Sequence, residues 1–257
     1  MWKTLRVTAL LAILLIVASA AWLDQRRVHE WRDTLHVGIF ALAADASPVA
    51  RDYVARLARS DFLPLEDFFA QQAKAHGVTL LDPVRVELYQ LAAPLPPAPP
   101  VDRGILAAVW WSLEIRYYAA RFGRAPSGPS PTIRVFVLYH DPARMPSVPH
   151  SVGLAKGLIG VVHVFAARRV SGSNNVVIAH ELLHTLGATD KYDRATNAPL
   201  FPSGFGDPEQ VPRYPQRLTE IMAGRRAMSA TSQEMPVSLE ECVVGPATAA
   251  EIHWTGR

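Results

Sequence analysis

The segment NNVVIAHELLHTLGATD, residues 174–190, is the most informative stretch of the chain. It predicts a helix from about Asn174 to Leu186, with Ser173 or Asn174 as its N-cap. Gly187 follows at the place where a helix commonly ends on a left-handed residue. Apolar side chains recur at intervals of three, four and three residues, which indicates the stripe by which this helix packs on a sheet: Val176, Ala179, Leu183 and Leu186.

The same helix carries the pattern HExxH, at His180, Glu181 and His184. Residues four apart lie on one face of a helix, so both imidazoles can reach a single ion. Zinc binds histidine nitrogen at about 2.0–2.1 Å and, in catalytic sites, leaves one position open for water. Zinc lowers the pKa of that water toward roughly 7, and Glu181 can accept its proton as a general base. The pattern therefore predicts one catalytic Zn2+ ion bound by His180 and His184.

A third ligand is expected shortly after the helix. Gly187 lets the chain turn back, and Asp190, three residues later, offers an oxygen that zinc accepts at about 2.0–2.2 Å. Asp193, Glu209 and Glu220 are the competing acids, and Asp193 is the nearest in sequence. One of the two aspartates could instead orient a histidine through a hydrogen bond. Asp190 is the preferred third ligand.

These residues resemble the signature HExxHxxGxxH of the metzincin zinc peptidases. His180, Glu181, His184 and Gly187 match it. Asp190 stands where the third histidine usually lies, a pattern similar to that of the snapalysin-like metallopeptidases. The match is specific over residues 180–222 and rests elsewhere on the order of elements only.

The resemblance implies two further features. Metzincins carry a methionine in a tight turn beneath the zinc, and the sequence EIMAG at residues 220–224 is similar to that turn, which makes Met222 the expected methionine. Met228 and Met235 are the alternatives. The strand around residues 157–165 would be the edge strand on which a peptide substrate docks by strand addition.

Strand and helix patterns alternate upstream of the active-site helix. Strands are predicted at Leu35–Ala43, Val84–Leu91, Ile133–Tyr139 and Ala155–Phe165. Helices are predicted from Ser47-Pro48 onward, at Glu66–Ala75, at Arg103–Phe122 and, with a break at Gly245-Pro246, within Ser238–Trp254. The apolar positions of the Arg103–Phe122 helix include Ile105, Leu106, Val109, Leu113 and Tyr117. Core packing is expected to bury at least one residue of each of its aromatic pairs, Trp110-Trp111 and Tyr117-Tyr118.

The predicted fold class is α+β. By the resemblance it is a metzincin-like mixed twisted sheet with helices, an active-site helix, and then an irregular C-terminal lobe with a methionine turn and a final helix. The metallopeptidase domain would span residues 35–257, with an upper lobe at 35–187, a lower lobe at 188–257 and a cleft between them.

The N-terminal residues 1–23 predict a signal peptide or a membrane anchor. Lys3 and Arg6 precede an apolar run, and Ala18-Ser19-Ala20 fits a cleavage site. The apolar stretch of residues 7–23 lies at the lower limit for crossing a bilayer. Residues 24–34 would be a spacer. The domain is therefore expected outside the cytoplasm, anchored by residues 7–23 or secreted after cleavage near Ala20.

The composition restricts the partners. The chain has 257 residues, of which 49% are hydrophobic and 19% charged, and its net charge is +3, too small to favour a nucleic-acid partner. Cys242 is the only cysteine, so no intrachain disulfide can form. Tyr192 or Tyr214 could donate to an oxyanion. The remaining histidines considered lack ligand spacing and are interpreted as structural or surface residues: His140, His150, His163 and His253.

The sequence thus predicts a zinc-dependent peptidase, an endopeptidase acting on protein or peptide substrates, with Glu181 as general base. An exported, non-catalytic binding protein with a structural or vestigial zinc site is the alternative, although such a site has no need of a carboxylate at residue 181. A zinc hydrolase of non-peptide amides is a third hypothesis.

Overall fold

The computed structural model describes residues 6–8, 26, 28–100, 104–125, 130–155 and 157–255, which form an α+β fold around a five-stranded mixed sheet. The helices are α1 Pro48–Ala55, α2 Leu63–Ala75, α3 Gly104–Phe122, α4 Ser171–Thr185 and α5 Pro246–Glu251. The sheet strands are β1 Leu35–Ala43, β2 Val84–Gln90, β3 Ile133–His140, β4 Val152–Leu154 and β5 Ile159–Phe165. Short strands follow α4: β6 Thr219–Glu220, β7 Arg226–Ala227, β8 Gln233–Glu234 and β9 Cys242–Val243.

The sheet has the strand order β2-β1-β3-β5-β4. All neighbouring pairs are parallel except β4 with β5, which is antiparallel. The expectation that residues 157–165 form the edge strand is therefore wrong, because β4 covers β5 and is itself the edge. With only three residues, β4 is too short to show an alternating pattern, so it could not be predicted from the sequence.

The two faces of the sheet bury different elements. On β1, Val37, Ile39 and Ala41 point into the larger core, which contains buried residues of α1, α2, α4 and α5. Phe40 and Leu42 point to the opposite face, into a smaller core built with α3. This two-sided burial explains why the strands read as almost continuous apolar runs.

Helix α3 buries a different face from the one the sequence suggested. Ile105 and Leu106 are 83% and 86% exposed, and Val109, Leu113 and Tyr117 are exposed as well. The buried residues are Trp111, Ile115, Tyr118 and Ala119. Because apolar residues surround this helix on all sides, its periodicity could not identify the packed face. One residue of each aromatic pair is buried, as predicted.

The helix ends follow their capping residues only in part. At α1, Ser47 Oγ accepts from Ala50 N and Pro48 occupies the first turn, as predicted. Helix α4 begins at Ser171, earlier than predicted, and Asn174 is no cap, since its side-chain amide donates to Phe165 O. The C-terminal helix predicted within Ser238–Trp254 is confirmed as α5, which starts at Pro246, at the predicted break.

The N-terminal predictions fall mostly outside the described residues, which include only 6–8 and 26 from the first 27. No helix among the described residues is both long and apolar enough to cross a membrane. Within the predicted spacer, Val28 and Trp31 are buried, and Trp31 Nε1 donates to Ile252 O. The end of the spacer thus packs against the C-terminal helix region.

Candidate metal centre

Helix α4 presents His180 and His184 on one face, with each ring held by a backbone carbonyl. His180 Nδ1 lies 2.9 Å from Ile221 O, and His184 Nδ1 lies 2.8 Å from Ala188 O. Since a carbonyl oxygen only accepts hydrogen bonds, both rings carry their proton on Nδ1. When the rings are neutral, both Nε2 atoms are therefore left with a lone pair, the form in which imidazole binds a metal.

Asp190 reaches the same two nitrogens. Its Oδ1 is 3.4 Å from His180 Nε2 and 3.0 Å from His184 Nε2. Gly187, at φ +100°, ends the helix and turns the chain, in the left-handed region that glycine favours. The next turn is fixed by Lys191, whose N–H donates to Met222 O and whose buried ammonium pairs with Glu251.

Asp190 Oδ1 lies from both histidine nitrogens at about the distance expected between ligands of one ion. Two ligand atoms bound tetrahedrally at about 2.0–2.1 Å lie about 3.3–3.4 Å apart, close to the two distances from Asp190 Oδ1. With both histidines protonated on Nδ1, Oδ1 is buried and receives no hydrogen bond. Two lone pairs facing a carboxylate oxygen repel one another unless a cation lies between them.

The pKa shifts of Asp190 and His180 also indicate that positive charge is favoured between these groups. Burial acts to raise the pKa of Asp190, but hydrogen bonds from His180 and His184, which form when the rings take up a second proton, outweigh it and hold that pKa well below its usual range. Burial acts to lower the pKa of His180, and the hydrogen bond with Asp190 and the charge of Glu181 outweigh it, so that the pKa is raised. A bound cation would satisfy the same groups without a proton.

Glu181 completes the cluster. Its carboxylate, with His180 and His184, forms a group whose ligand atoms lie within 4.8 Å of one another and could hold a metal ion. The side chain is buried, burial raises its pKa, and Oε2 has no hydrogen-bond partner among the described residues. Gly153 in β4 lies close to the Glu181 backbone, because a Cβ added there would overlap the Glu181 carbonyl oxygen. A buried carboxylate is thus available beside the candidate metal position.

The turn below the histidines is a 3-10 helix, Ile221–Ala223, which ends at Gly224 with φ +66°. Met222 is fully buried in it, and Ile221 O holds the ring of His180. Glu220 stabilises the turn through hydrogen bonds to its side chain. Its fully buried carboxylate accepts hydrogen bonds from Ala223 N, Gly245 N and Thr248 Oγ1.

The competing acids do not face the histidines. Asp193 is exposed and caps its own turn, where Oδ1 accepts from Ala195 N, Thr196 N and Thr196 Oγ1. Glu209 is exposed. Both carboxylate oxygens of Glu220 are used within the turn described above. Among the acids that the sequence proposed as third ligand, the structure brings only Asp190 to His180 and His184.

A pocket of about 320 Å³ opens beside the cluster. Residues from both sides of the chain reversal at Gly187 line it, among them Glu181 and Tyr192. Burial and the nearby charge of Asp190 raise the pKa of Tyr192. Tyr214 instead packs on Phe205. The structure therefore places Tyr192, and not Tyr214, in the pocket.

Sequence reasoning missed a histidine pair at this pocket. His163, on β5, lines the pocket, and its Nδ1 lies 2.8 Å from Nε2 of His140, on the neighbouring strand β3. His150 lines the pocket too. No spacing rule could have found the pair, because the two histidines are 23 positions apart and meet only when β3 and β5 align.

No protein-family model and no curated protein matches this chain. A function for the site has therefore to come from the chemistry of His180, Glu181, His184 and Asp190 themselves.

Proposed function

We propose that the chain is a zinc-dependent peptidase, an endopeptidase that hydrolyses peptide bonds with Glu181 as general base. The observation that carries the proposal is the convergence of one carboxylate oxygen on two imidazole nitrogens, at 3.4 Å and 3.0 Å, next to a second buried carboxylate and an open pocket. A purely structural zinc site is normally closed by four protein ligands.

Zinc is the metal that this donor set favours, because two imidazoles and one carboxylate are a common catalytic zinc environment. His180 and His184 would hold it through Nε2, and Asp190 through Oδ1. When bound there, zinc supplies Lewis-acid polarisation of the scissile carbonyl and makes water a better nucleophile near neutral pH. The carbonyl oxygens of Ile221 and Ala188 keep both rings oriented toward it.

Glu181 would move the proton. Its buried carboxylate, on the same helical turn as His180, accepts a proton from the attacking water and then delivers it to the leaving amine. Strand β4 packs against the helix that carries Glu181, and Oε2 has no hydrogen-bond partner among the described residues, so that it is available to the water. Tyr192 would donate a hydrogen bond to the oxygen on which negative charge develops.

The proposal includes a metzincin-like architecture. Its supports are the α+β sheet, the histidine helix α4 and the turn at Met222 beneath His180. The edge strand that would receive an extended peptide is β4, not β5. Strand β4 packs directly on α4, and a Cβ at Gly153 would overlap the backbone of Glu181.

The test is cleavage of a mixed peptide library by the zinc-loaded full chain in detergent. The Glu181→Gln variant is the comparison, and Glu209→Gln, an exposed acid away from the cluster, is the matched control. We expect cleavage by the parent and the control, loss of at least about 100-fold of the rate in Glu181→Gln, and one zinc in each protein.

Two outcomes would contradict this proposal. Absence of cleavage by the parent with one zinc bound would favour the non-catalytic binding protein. Loss of zinc from Glu181→Gln would move Glu181 from the role of base to that of ligand. A chelator should abolish parent activity, and added zinc should restore it.

We further propose that the domain works outside the cytoplasm, because residues 1–23 have the pattern of a signal peptide or membrane anchor. Membrane fractionation with N-terminal sequencing of the mature protein tests this. Retention of residues 1–23 in the membrane fraction supports the anchor, and a new N-terminus near Ala20 supports secretion. An intact, cytoplasmic protein would refute both.

A further inference from the structure

The pocket beside the metal centre has a polar wall that the proposed reaction does not use. Its volume of about 320 Å³ lies at the lower end of the roughly 300–1,000 Å³ of ligand pockets, which suits a single side chain. Both His180 and Glu181 line it. Its occupant would therefore lie beside the bond that is cleaved.

His163 presents a hydrogen-bond donor to this pocket. Burial, together with the charge of His140, lowers the pKa of His163 to about 4, and burial lowers the pKa of His140 as well, so both rings are neutral near pH 7. One proton must lie between His140 Nε2 and His163 Nδ1, which are 2.8 Å apart.

The other ring nitrogen of His140, Nδ1, indicates which of the two atoms carries that proton. Its Nδ1 is buried and has no hydrogen-bond partner among the described residues. An orphaned buried N–H is rarer than an orphaned acceptor, so His140 leaves Nδ1 bare and carries its proton on Nε2. His163 then accepts at Nδ1 and carries its own proton on Nε2. His140 is a positioning residue, because it acts only through His163.

Two further donors line the same pocket. Ser151 Oγ accepts from the backbone N–H of His163, and its own hydroxyl donates to none of the described residues. Arg225 follows the turn at Met222 and is half-buried. Within the described part of the chain Arg225 forms no ion pair, whereas its neighbour Arg226 pairs with Glu234 and Glu241.

Apolar side chains form another part of the wall, which also includes His150 and Asn197. Val148, Val176, Val177 and Met235 line the pocket and offer no hydrogen bond from their side chains. A fitting side chain therefore has methylene groups along its length and an acceptor at its end. The guanidinium of Arg225 favours an acceptor that is charged, because hydrogen bonds between ionised groups are the stronger ones.

We propose that this pocket selects peptides with an acidic side chain, glutamate above all, next to the bond that is cleaved, an inference that rests on the proposed peptidase function. The carboxylate would accept from Arg225, His163 Nε2 and the Ser151 hydroxyl. The side-chain methylenes would pack on the valines of α4.

The first test compares kcat/KM for three peptides that differ only at the residue in the pocket, which is glutamate, glutamine or leucine. The scaffold is a sequence that the zinc-loaded full chain cuts in the mixed library. We expect glutamate to exceed glutamine by about 10- to 100-fold. Cleavage without this preference would overturn the pocket assignment and leave the peptidase proposal standing.

Substitutions that remove or reverse the charge of Arg225 test whether this residue causes the preference. Arg225→Gln should abolish the preference for glutamate over glutamine, and Arg225→Glu should shift the preference to lysine. Arg226→Gln is the matched control, since Arg226 does not line the pocket, and it should retain the glutamate preference. An unchanged preference in Arg225→Glu would overturn the proposal.

A binding measurement keeps the inference testable if the parent cleaves nothing. The zinc-loaded Glu181→Gln variant is titrated into fluorescent peptides Ala-Ala-X-Ala-Ala, with glutamate, glutamine or leucine at X. Tighter binding of the glutamate peptide, lost in Arg225→Gln, supports the pocket assignment even though the peptidase proposal has failed. Equal affinities for the three peptides would overturn it.

The proton arrangement is checked independently by long-range ¹H–¹⁵N NMR of the imidazoles. We expect His163 and His140 both to be protonated on Nε2 and bare on Nδ1. A proton on His163 Nδ1 would overturn its assignment as a donor.

Discussion

Replacement of Asp190 by alanine is the sharpest test of the metal centre. Asp190 Oδ1 is 3.0 Å and 3.4 Å from the two histidine Nε2 atoms, whereas Asp193 is exposed and hydrogen-bonds only its own turn. Asp193→Ala is therefore a matched control that removes the same side chain three residues away. We expect Asp190→Ala to weaken zinc binding and Asp193→Ala to leave it within a few fold of the parent.

The size of the effect follows from the number of ligands. Zinc binding by a four-ligand site is worth about 10–16 kcal/mol, so an even share is about 3 kcal/mol per ligand. That share corresponds to a factor of roughly 100 in Kd. Equilibrium competition with a chromophoric zinc chelator measures it directly. Arg194, which approaches Asp190 Oδ2 at 3.4 Å, is 86% exposed and should add little.

In the absence of zinc, removal of the Asp190 carboxylate should not destabilise the protein. Without a cation, and at alkaline pH where both imidazoles are neutral, Asp190 Oδ1 opposes two lone pairs, so Asp190→Ala should not lower the thermal stability of the metal-free chain there. Added zinc should raise the melting temperature of the parent and raise that of Asp190→Ala much less. A larger loss of zinc affinity in Asp193→Ala than in Asp190→Ala would refute the reasoning and move the third ligand to Asp193.

Three further predictions concern the packing of α3, zinc binding and the pH dependence of stability. Trp111→Ala should cost about 3–5 kcal/mol in urea unfolding, because the ring is buried and donates to Pro97 O, while Trp110→Ala, at a 64% exposed position, should cost less than about 1 kcal/mol; equal costs would contradict the packing of α3. Gly153→Ala should weaken zinc binding in the chelator assay, because its Cβ would overlap the helix at the site, whereas Gly160→Ala meets ordinary contacts from 3.4 Å and should not. Since the pKa of His163 is lowered to about 4, the unfolded chain binds more protons than the folded one below about pH 6.5, and stability should fall as the pH drops from there toward about 4. His163→Phe should reduce the loss of unfolding free energy with falling pH, measured by urea titrations at a series of pH values. An unchanged pH dependence would mean that other groups cause the loss.

Local rules account for the part of the site that lies on one helix. The repeat of 3.6 residues per turn brings His180 and His184 to one face, and Gly187 supplies the left-handed residue that ends the helix and turns the chain toward Asp190. The four principal strands and the start of α1 at Ser47-Pro48 were predicted for the same reason. These features depend on residues that are close in sequence.

The tertiary structure decided what local pattern could not encode. Helix α3 is apolar on every side, so only its packing against the sheet selected Trp111, Ile115 and Tyr118 for burial. Strand β4 has only three residues and is defined as a strand by its pairing with β5. Neither choice leaves a periodic signal in the sequence.

The chemical environment of the site was also decided at long range. Asp190 was separable from Asp193 only once Asp193 was seen to cap its own turn. The His140–His163 pair exists because two parallel strands align, and Glu220 is buried because Gly245 and Thr248 converge on it from the C-terminal region. The sequence determined which groups could act together on one helix, because helix geometry is fixed by neighbouring residues. Only the fold determined which distant groups join them, because those contacts arise from the shared burial of surfaces that are far apart in the chain.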